Sequence, residues 1–234
     1  MYVNTSGIVL REVTYKDSSK ILTVLTASEG KLTVSAHGAH RKNSKLAAVT
    51  GLLVFSEMTL FKKKDRWTMT EARSVEQFIG LRDEIELISL GAYIAELTEA
   101  VADEDSPNPE LLPLCLNSLY ALSEKLKTPE YVKPAFELRL MAISGFEPLL
   151  GDKNEKSSGT LEEGVLNLAA AAKNAAEYII NCDAKKIFSF TLTSQALREL
   201  SKATENYLLA HLDRQFKTLD YYHRISGISG APPA

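Results

Sequence analysis

Cysteine is nearly absent. Cys115 and Cys182 are the only two in 234 residues, and they lie far apart in helix-like sequence. That excludes a disulfide framework and makes a reducing, cytoplasmic compartment the expectation. Long apolar runs are missing too. None reaches the ~18 residues that a bilayer span needs. The start, Met1-Tyr2-Val3-Asn4-Thr5, lacks the basic stretch and apolar run of a signal peptide. No G-x-S-x-G elbow, P-loop or G-x-G-x-x-G turn occurs. A Ser-x-x-Lys match at Ser28–Lys31 straddles a turn signal, Glu29-Gly30, and reads as turn residues. Four histidines and two cysteines give no set with metal-ligand spacing. The acidic pairs, such as Glu162-Glu163, read as solvated surface. The chain is therefore expected to be no enzyme, with no catalytic residue, cofactor or metal.

What is present is an uneven charge. Residues 1–80 carry 12 Lys+Arg against 7 Asp+Glu, whereas residues 81–234 carry 15 against 23. The basic excess gathers in His37-Gly38-Ala39-His40-Arg41-Lys42-Asn43-Ser44-Lys45 and in Lys62-Lys63-Lys64-Asp65-Arg66, each lying between strand-like runs. A phosphate backbone selects such loops, because each neutralised phosphate releases counterions. Arg forks onto phosphate oxygens and Lys acts as a point charge. The DNA-binding candidates are Lys31, His37, His40, Arg41, Lys42, Lys45, Lys62, Lys63, Lys64 and Arg66. For the three lysines, a polar hairpin tip that keeps a barrel soluble is the competing reading. Small barrels that bind single strands add aromatic stacking to a basic groove. The candidate platforms are Tyr2, Tyr15, Phe55, Phe61 and Trp67, most of them expected to fill the core.

The patterning changes once along the chain. Gly7–Val13, Ile21–Thr26, Lys31–Ala36, Leu52–Phe61 and Trp67–Ala72 read as five strands. Gly30 supplies the positive φ that the turn before Lys31 wants. Five strands so close together predict a small closed barrel. From Asp83 the apolar period becomes helical, with Leu87, Leu90, Ile94, Leu97 and Val101 on one stripe. Asp83 with Glu86 resembles a capping box, and Asn108-Pro109 and Thr128-Pro129 resemble helix starts. Residues 147–164 read as a loop, about 162–181 as an alanine-rich helix, Lys185–Leu192 as a short strand, and Thr193 or Ser194 as the cap of a helix carrying Leu197 and Leu200. Leu208, Leu212, Phe216 and Leu219 mark a last helix. The expected class is α+β: a barrel over 1–80, a mainly α-helical domain over 81–225 with a variable insert at about 147–192, and a loose tail at 226–234.

Gly7-Ile8-Val9-Leu10-Arg11, Asp17-Ser18-Ser19-Lys20-Ile21 and Glu29-Gly30-Lys31-Leu32, in that order, resemble the start of the RecO family of bacterial recombination mediators. Gly38–Lys45 is similar to the family's basic loop. Asn108-Pro109-Glu110-Leu111, Phe136–Leu140 and Gly145-Phe146-Glu147-Pro148 are similar to its helical part. The resemblance covers residues 1–150 and resumes weakly at Thr193–Leu219.

It implies an oligonucleotide-binding (OB) barrel followed by helices. It implies binding of single- and double-stranded DNA, strand annealing, partnership with RecR and with the acidic C-terminal tail of the single-stranded-DNA-binding protein, and loading of RecA in a cytoplasmic, nucleoid-associated setting. Carried over, Arg41, Lys42 and Lys45 are backbone contacts. His37 and His40 stand where the family often has Lys or Arg, which puts part of the charge under pH control. Many members follow Gly-Phe-x-Pro with four zinc-binding cysteines, whereas here Pro148 is followed by Leu149-Leu150-Gly151-Asp152, so no zinc is expected. For the acidic tail, Lys133, Phe136 and Arg139 are neighbours by helical spacing, and a core Phe136 flanked by solvated charges is the alternative. A protein-interaction or RNA-binding adaptor on the same barrel is the rival function.

Overall fold

The computed structural model describes residues 1–15, 18–41, 44–152 and 164–227. Lys42, the middle of the expected insert and the tail from residue 228 lie outside them. Five strands close a barrel: β1 (Tyr2–Tyr15), β2 (Ser19–Thr26), β3 (Gly30–Ala36), β4 (Phe55–Lys63) and β5 (Arg66–Glu76). Their order round the barrel is β1-β2-β3-β5-β4, antiparallel except for β3 against β5. This is the Greek-key closure of an OB-fold. Alternation decides what lies inside. Leu32, Val34, Met58, Leu60, Trp67 and Met69 fill the interior, while Thr33, Ser35, Thr68 and Thr70 point away from it. Gly30 takes φ 70° in the β2–β3 turn, and a Cβ there would lie 2.5 Å from the Ser106 carbonyl oxygen. No other residue fits that crossing.

β1 and β2 do not alternate through their middles. Ile8, Val9 and Leu10 are all buried, as are Leu22, Val24 and Leu25. Both faces of these strands are covered. Val9, Leu22 and Val24 face the barrel interior, while Ile8, Leu10 and Leu25 join a second core made mostly of helices. That second core makes barrel and helices one body. The start expected for the fourth strand, Leu52–Val54, is instead a turn with Leu53 at φ 64°. It clips onto an irregularity in β1: Leu53 N donates to the Val9 carbonyl, and Val9 N donates to that of Val54.

The helices are α1 (Ile85–Val101), α2 (Leu111–Ser123), α3 (Pro129–Ile143), α4 (Ala170–Asn181), α5 (Ser194–Leu212) and α6 (Lys217–Ser226). Pro129 opens α3 as expected, and Thr193 caps α5 by accepting from Ala196 N. Several expectations fail for local reasons. The cap position of α1 is Glu84, without a side-chain bond, so no Asp83–Glu86 box forms. Asn108 accepts from Glu110 N, and α2 starts at Leu111 rather than at Pro109. Leu149–Asp152 and Val165–Leu168, expected as loop and helix, pair as parallel strands β6 and β7. Short apolar runs fit either state until a partner selects one. Lys185–Leu192 holds a 3₁₀ turn, Ala184–Lys186, and no strand; Tyr131 donates its hydroxyl to the Leu192 carbonyl. Leu208 and Leu212 extend α5, which stops at Asp213 with φ 43°, and Phe216 caps a separate α6. No described helix is long and apolar enough to cross a membrane.

Lys133, Phe136 and Arg139 do not form a surface cleft. Phe136 is fully buried. Lys133 is buried between Glu137, at 2.7 Å, and Glu205, at 2.6 Å. Arg139 pairs with Glu110 at 2.9 Å and donates to the Ile180 carbonyl. The network around Lys133 spans the bundle. Tyr93 of α1 and Thr204 of α5 donate hydroxyls to Glu137, and the ring Nε2 of His223 on α6 lies 2.9 Å from Glu205. An α3 stripe with a cation at one end resembles a docking face in sequence. Here α5 covers it and supplies the counter-charge.

Candidate nucleic-acid interface

Apart from Lys31, the sequence-predicted cations among the described residues fall into two groups, one after the end of β3 and one on the β4–β5 turn. The first follows Ala36. His37, Arg41 and Lys45 are exposed, and among the described residues none of them makes an ion pair. Gly38, at φ 72°, lets the loop fold back, so Arg41 N donates to the Gly38 carbonyl at 3.0 Å. His40 is anchored to the β1–β2 hairpin: its backbone N donates to the Ser18 carbonyl, and its Nε2 lies 3.0 Å from the Thr14 hydroxyl. These bonds anchor the described part of the loop, on which His37, His40 and Arg41 are exposed.

The second group sits on the β4–β5 turn. Lys63, Lys64 and Arg66 are exposed and unpaired among the described residues. The Met1 ammonium joins them by donating to the Lys62 carbonyl at 3.1 Å. Lys62 itself lies 4.7 Å over the Trp67 ring, at the barrel's end, and 4.0 Å from Asp105. Lys31 is committed to the fold. Its Nζ donates to the Glu99 carbonyl at 3.0 Å and its backbone pairs with the connector at Asp103 and Asp105. The acidic connector thus touches the barrel at Lys31 and Lys62, where sequence alone sets the two charges apart.

Between the two groups runs a strip of strand. Val34 pairs with Trp67 and Ser35 with Thr68, which places Arg66 level with Thr33 and four residues short of His37. At the strand rise that is about 13 Å. Thr33 and Thr70 are exposed on this strip, and Ser35 and Thr68 are half-exposed. Cations thus flank a row of hydroxyls on this strip, and the acidic connector at Asp103–Asp105 lies beside its Lys31 and Lys62 end. The outer face of β1 and β2 near Leu10, Thr23 and Leu25 is closed instead by α1, with Glu99 pairing Arg11 at 2.9 Å.

Sequence reasoning missed two features. The Met1 ammonium joins the turn only because Tyr2 pairs with Phe61. Arg214 and Lys217 line a groove of about 700 Å³ between β1, α1 and α6, together with Arg11, Glu96 and Glu99. Its carboxylates are already engaged, Glu96 by the N-terminus of α6 at Thr218 and Glu99 by Arg11. No local signal announces a groove formed by segments over 100 residues apart. Among the described residues, no group of three or more His, Cys, Asp or Glu is placed to hold a metal. Burial pushes the Cys115 thiol up to about 12, away from the thiolate that metal binding needs.

Comparison with known proteins adds to this geometry. Residues 1–78 match the family model described as recombination protein O N terminal, and residues 82–220 match that described as recombination protein O C terminal. The chain is 30% identical to the DNA repair protein RecO of Acetivibrio thermocellus over 97% of this chain and 98% of that one. It is 27% identical to that of Symbiobacterium thermophilum over 93% and 95% of the two chains. With that of Caldicellulosiruptor bescii it shares 38% identity over 62% of this chain and 59% of the relative.

Proposed function

The chain belongs to the RecO family, and on that premise we propose that it acts in recombinational DNA repair as a non-enzymatic mediator that holds single-stranded DNA by its phosphates. The observation that carries this reading is the strip on β3 and β5. Its exposed cations at either end, Arg41 and Lys45 on one side and Lys63, Lys64 and Arg66 on the other, have no carboxylate partner among the described residues. Lys42, on the same loop, is counted with them from the family resemblance. A protein that screens phosphate charge on two strands lowers their repulsion, so annealing follows from the same contacts. Sequence matters little to such a grip, because phosphates are alike.

Fluorescence anisotropy with a labelled oligonucleotide tests this. Four to six phosphate contacts give a slope of log affinity on log salt of about −3 to −4 for single strands. A flat salt dependence rejects the phosphate grip. Equal binding of an RNA oligonucleotide, with no annealing of DNA, favours the adaptor instead.

RecR, RecA loading and the acidic, apolar-ended tail of the single-stranded-DNA-binding protein enter from the family resemblance. For such a tail the supporting feature is an apolar notch of about 280 Å³ lined by Ile85, Ile88, Ala92 and Tyr221. Lys217 stands at its edge, and the Arg224 guanidinium lies 5.8 Å from the Tyr221 ring. Lys217→Glu with Tyr221→Ala should weaken capture of a tail peptide at least ~10-fold, since both a charge pair and an aromatic anchor are lost. Unchanged capture removes the notch from the proposal.

A further inference from the structure

On the reading that the barrel holds single-stranded DNA, we propose that Tyr2 and Phe61 are its base-stacking platform. Strand register carries the argument. Tyr2 pairs with Phe61, Phe61 with Thr68, and Thr68 with Ser35, so four strands contribute one continuous row. Residues directly opposite one another share a face. This row is on the outside, because Val3, Leu60, Trp67 and Val34, one position along each strand, pack in the barrel interior. Lys63 and Arg66, also paired, lie two residues from Phe61 and Thr68 and so stand on the same outer face. Aromatic rings and unpaired cations therefore sit side by side, which is the combination that a single strand uses.

The two rings are built for this. Tyr2 is 68% exposed although it belongs to a paired strand. Its ring centroid is 4.8 Å from that of Phe61, with planes tilted by 43°. Phe61 braces the ring at a tilt, and most of the Tyr2 side chain stays exposed. The Met1 ammonium, fixed on the Lys62 carbonyl, adds a cation beside the ring. The other candidate aromatics are placed differently. Trp67 is 4% exposed within the barrel, and Phe55 packs against the helical core. Tyr15 stands at the tip of the β1–β2 hairpin, away from the β4–β5 turn. On the opposite side, the surface of β1–β2 is covered by α1. The strand is thereby directed across β3, β5 and β4, with unpaired bases toward Tyr2 and phosphates toward Lys63 and Arg66.

Stacking and charge contacts respond differently to salt, and that separates them. Full-length Tyr2→Ala, Tyr2→Phe and Lys63→Gln are compared with the unaltered protein, using a single-stranded oligonucleotide carrying 2-aminopurine. Tyr2→Ala should weaken binding about 5- to 150-fold, the range of one lost stacked base, with the salt slope unchanged. Tyr2→Phe should restore it. Lys63→Gln should reduce the steepness of the slope by about 0.7 while leaving the 2-aminopurine signal intact. Trp67 fluorescence checks that each variant is folded. Should Tyr2→Ala bind like the unaltered protein while charge reversal on the basic loop abolishes binding, the platform is overturned and the phosphate grip stands. A weakened affinity accompanied by a changed slope likewise overturns stacking. If the unaltered protein binds no oligonucleotide at all, the grip itself fails, and the platform with it.

Discussion

Arg41→Glu together with Lys45→Glu is expected to weaken oligonucleotide binding by on the order of 100-fold at moderate salt, because two cation contacts become two repulsions. The salt slope should shrink by about 1.4 in magnitude, the share of two contacts. The residues suit such a test. Both are exposed and hold no ion pair among the described residues, so reversal leaves no buried group unpaired. The loop that carries them is held by backbone bonds at Gly38, Ser18 and Arg41 and by the ring of His40, and these do not depend on either charge. Unfolding temperature should stay within a few degrees. Length dependence adds a second readout. The two basic ends lie about 13 Å apart along β3 and β5. An oligonucleotide of one or two nucleotides touches one end, and a longer one engages both and gains effective concentration. Reversal on the 37–45 loop should reduce a long oligonucleotide to the affinity of a short one. Arg66→Glu should do the same from the other end. Unchanged binding by both variants would place the ligand elsewhere.

Lys133→Met should destabilise the protein by about 3–5 kcal/mol, the usual consequence of removing one partner from a buried ion pair. At this chain length that lowers the melting temperature by roughly 10–15 °C in a circular-dichroism melt. The single ammonium lies 2.7 Å from Glu137 and 2.6 Å from Glu205, and Glu137 has no exposed surface. Burial raises the Glu137 carboxyl and alone would lower Lys133, but the two carboxylates against Lys133 hold its proton more tightly than usual. Without the ammonium, two carboxylates share a dry site. Lys133→Met combined with Glu137→Gln should recover part of the loss, since the amide carries no charge and keeps one oxygen to accept from Tyr93 or Thr204. A loss under 1 kcal/mol in the single variant would show that the network is solvated.

The same cluster sets an acid limit. Burial would raise Glu205, but hydrogen bonds from His223 and Lys133 outweigh it and hold the carboxyl at about 2, below the ordinary 4.5. A depressed carboxyl contributes stability that is complete above its unfolded value and is lost as pH falls toward its folded value. Acid unfolding should therefore draw on Glu205 between about pH 4.5 and about 2, and Glu205→Gln should remove that share.

Sequence periodicity was enough for the barrel and for where most helices run. The alternation of Leu32, Val34 and Ala36 with Thr33 and Ser35 names a strand and its inner face without a structure. The period-3.6 stripe of α1 does the same for a helix. Both follow from repeats set by the backbone, 2.0 for a strand and 3.6 for a helix. Glycine at the β2–β3 turn was equally legible, because φ is a local property. The excess of positive charge in the first 80 residues is likewise a property of composition.

Tertiary structure alone decided which cations are free. Lys31 and Arg66 look alike in sequence, yet Lys31 is tied to α1 through the Glu99 carbonyl and Arg66 stands open on the strip. Lys133 has the spacing of a surface charge and becomes the centre of the bundle, because Glu205 arrives from 72 residues away. The Tyr2–Phe61 pair joins residues 59 positions apart through the β1–β4 register. A sequence states how much charge and apolar surface a segment carries. Burial, pairing and exposure depend on which distant segment packs against it, and only the closed barrel and the folded bundle supply that neighbour.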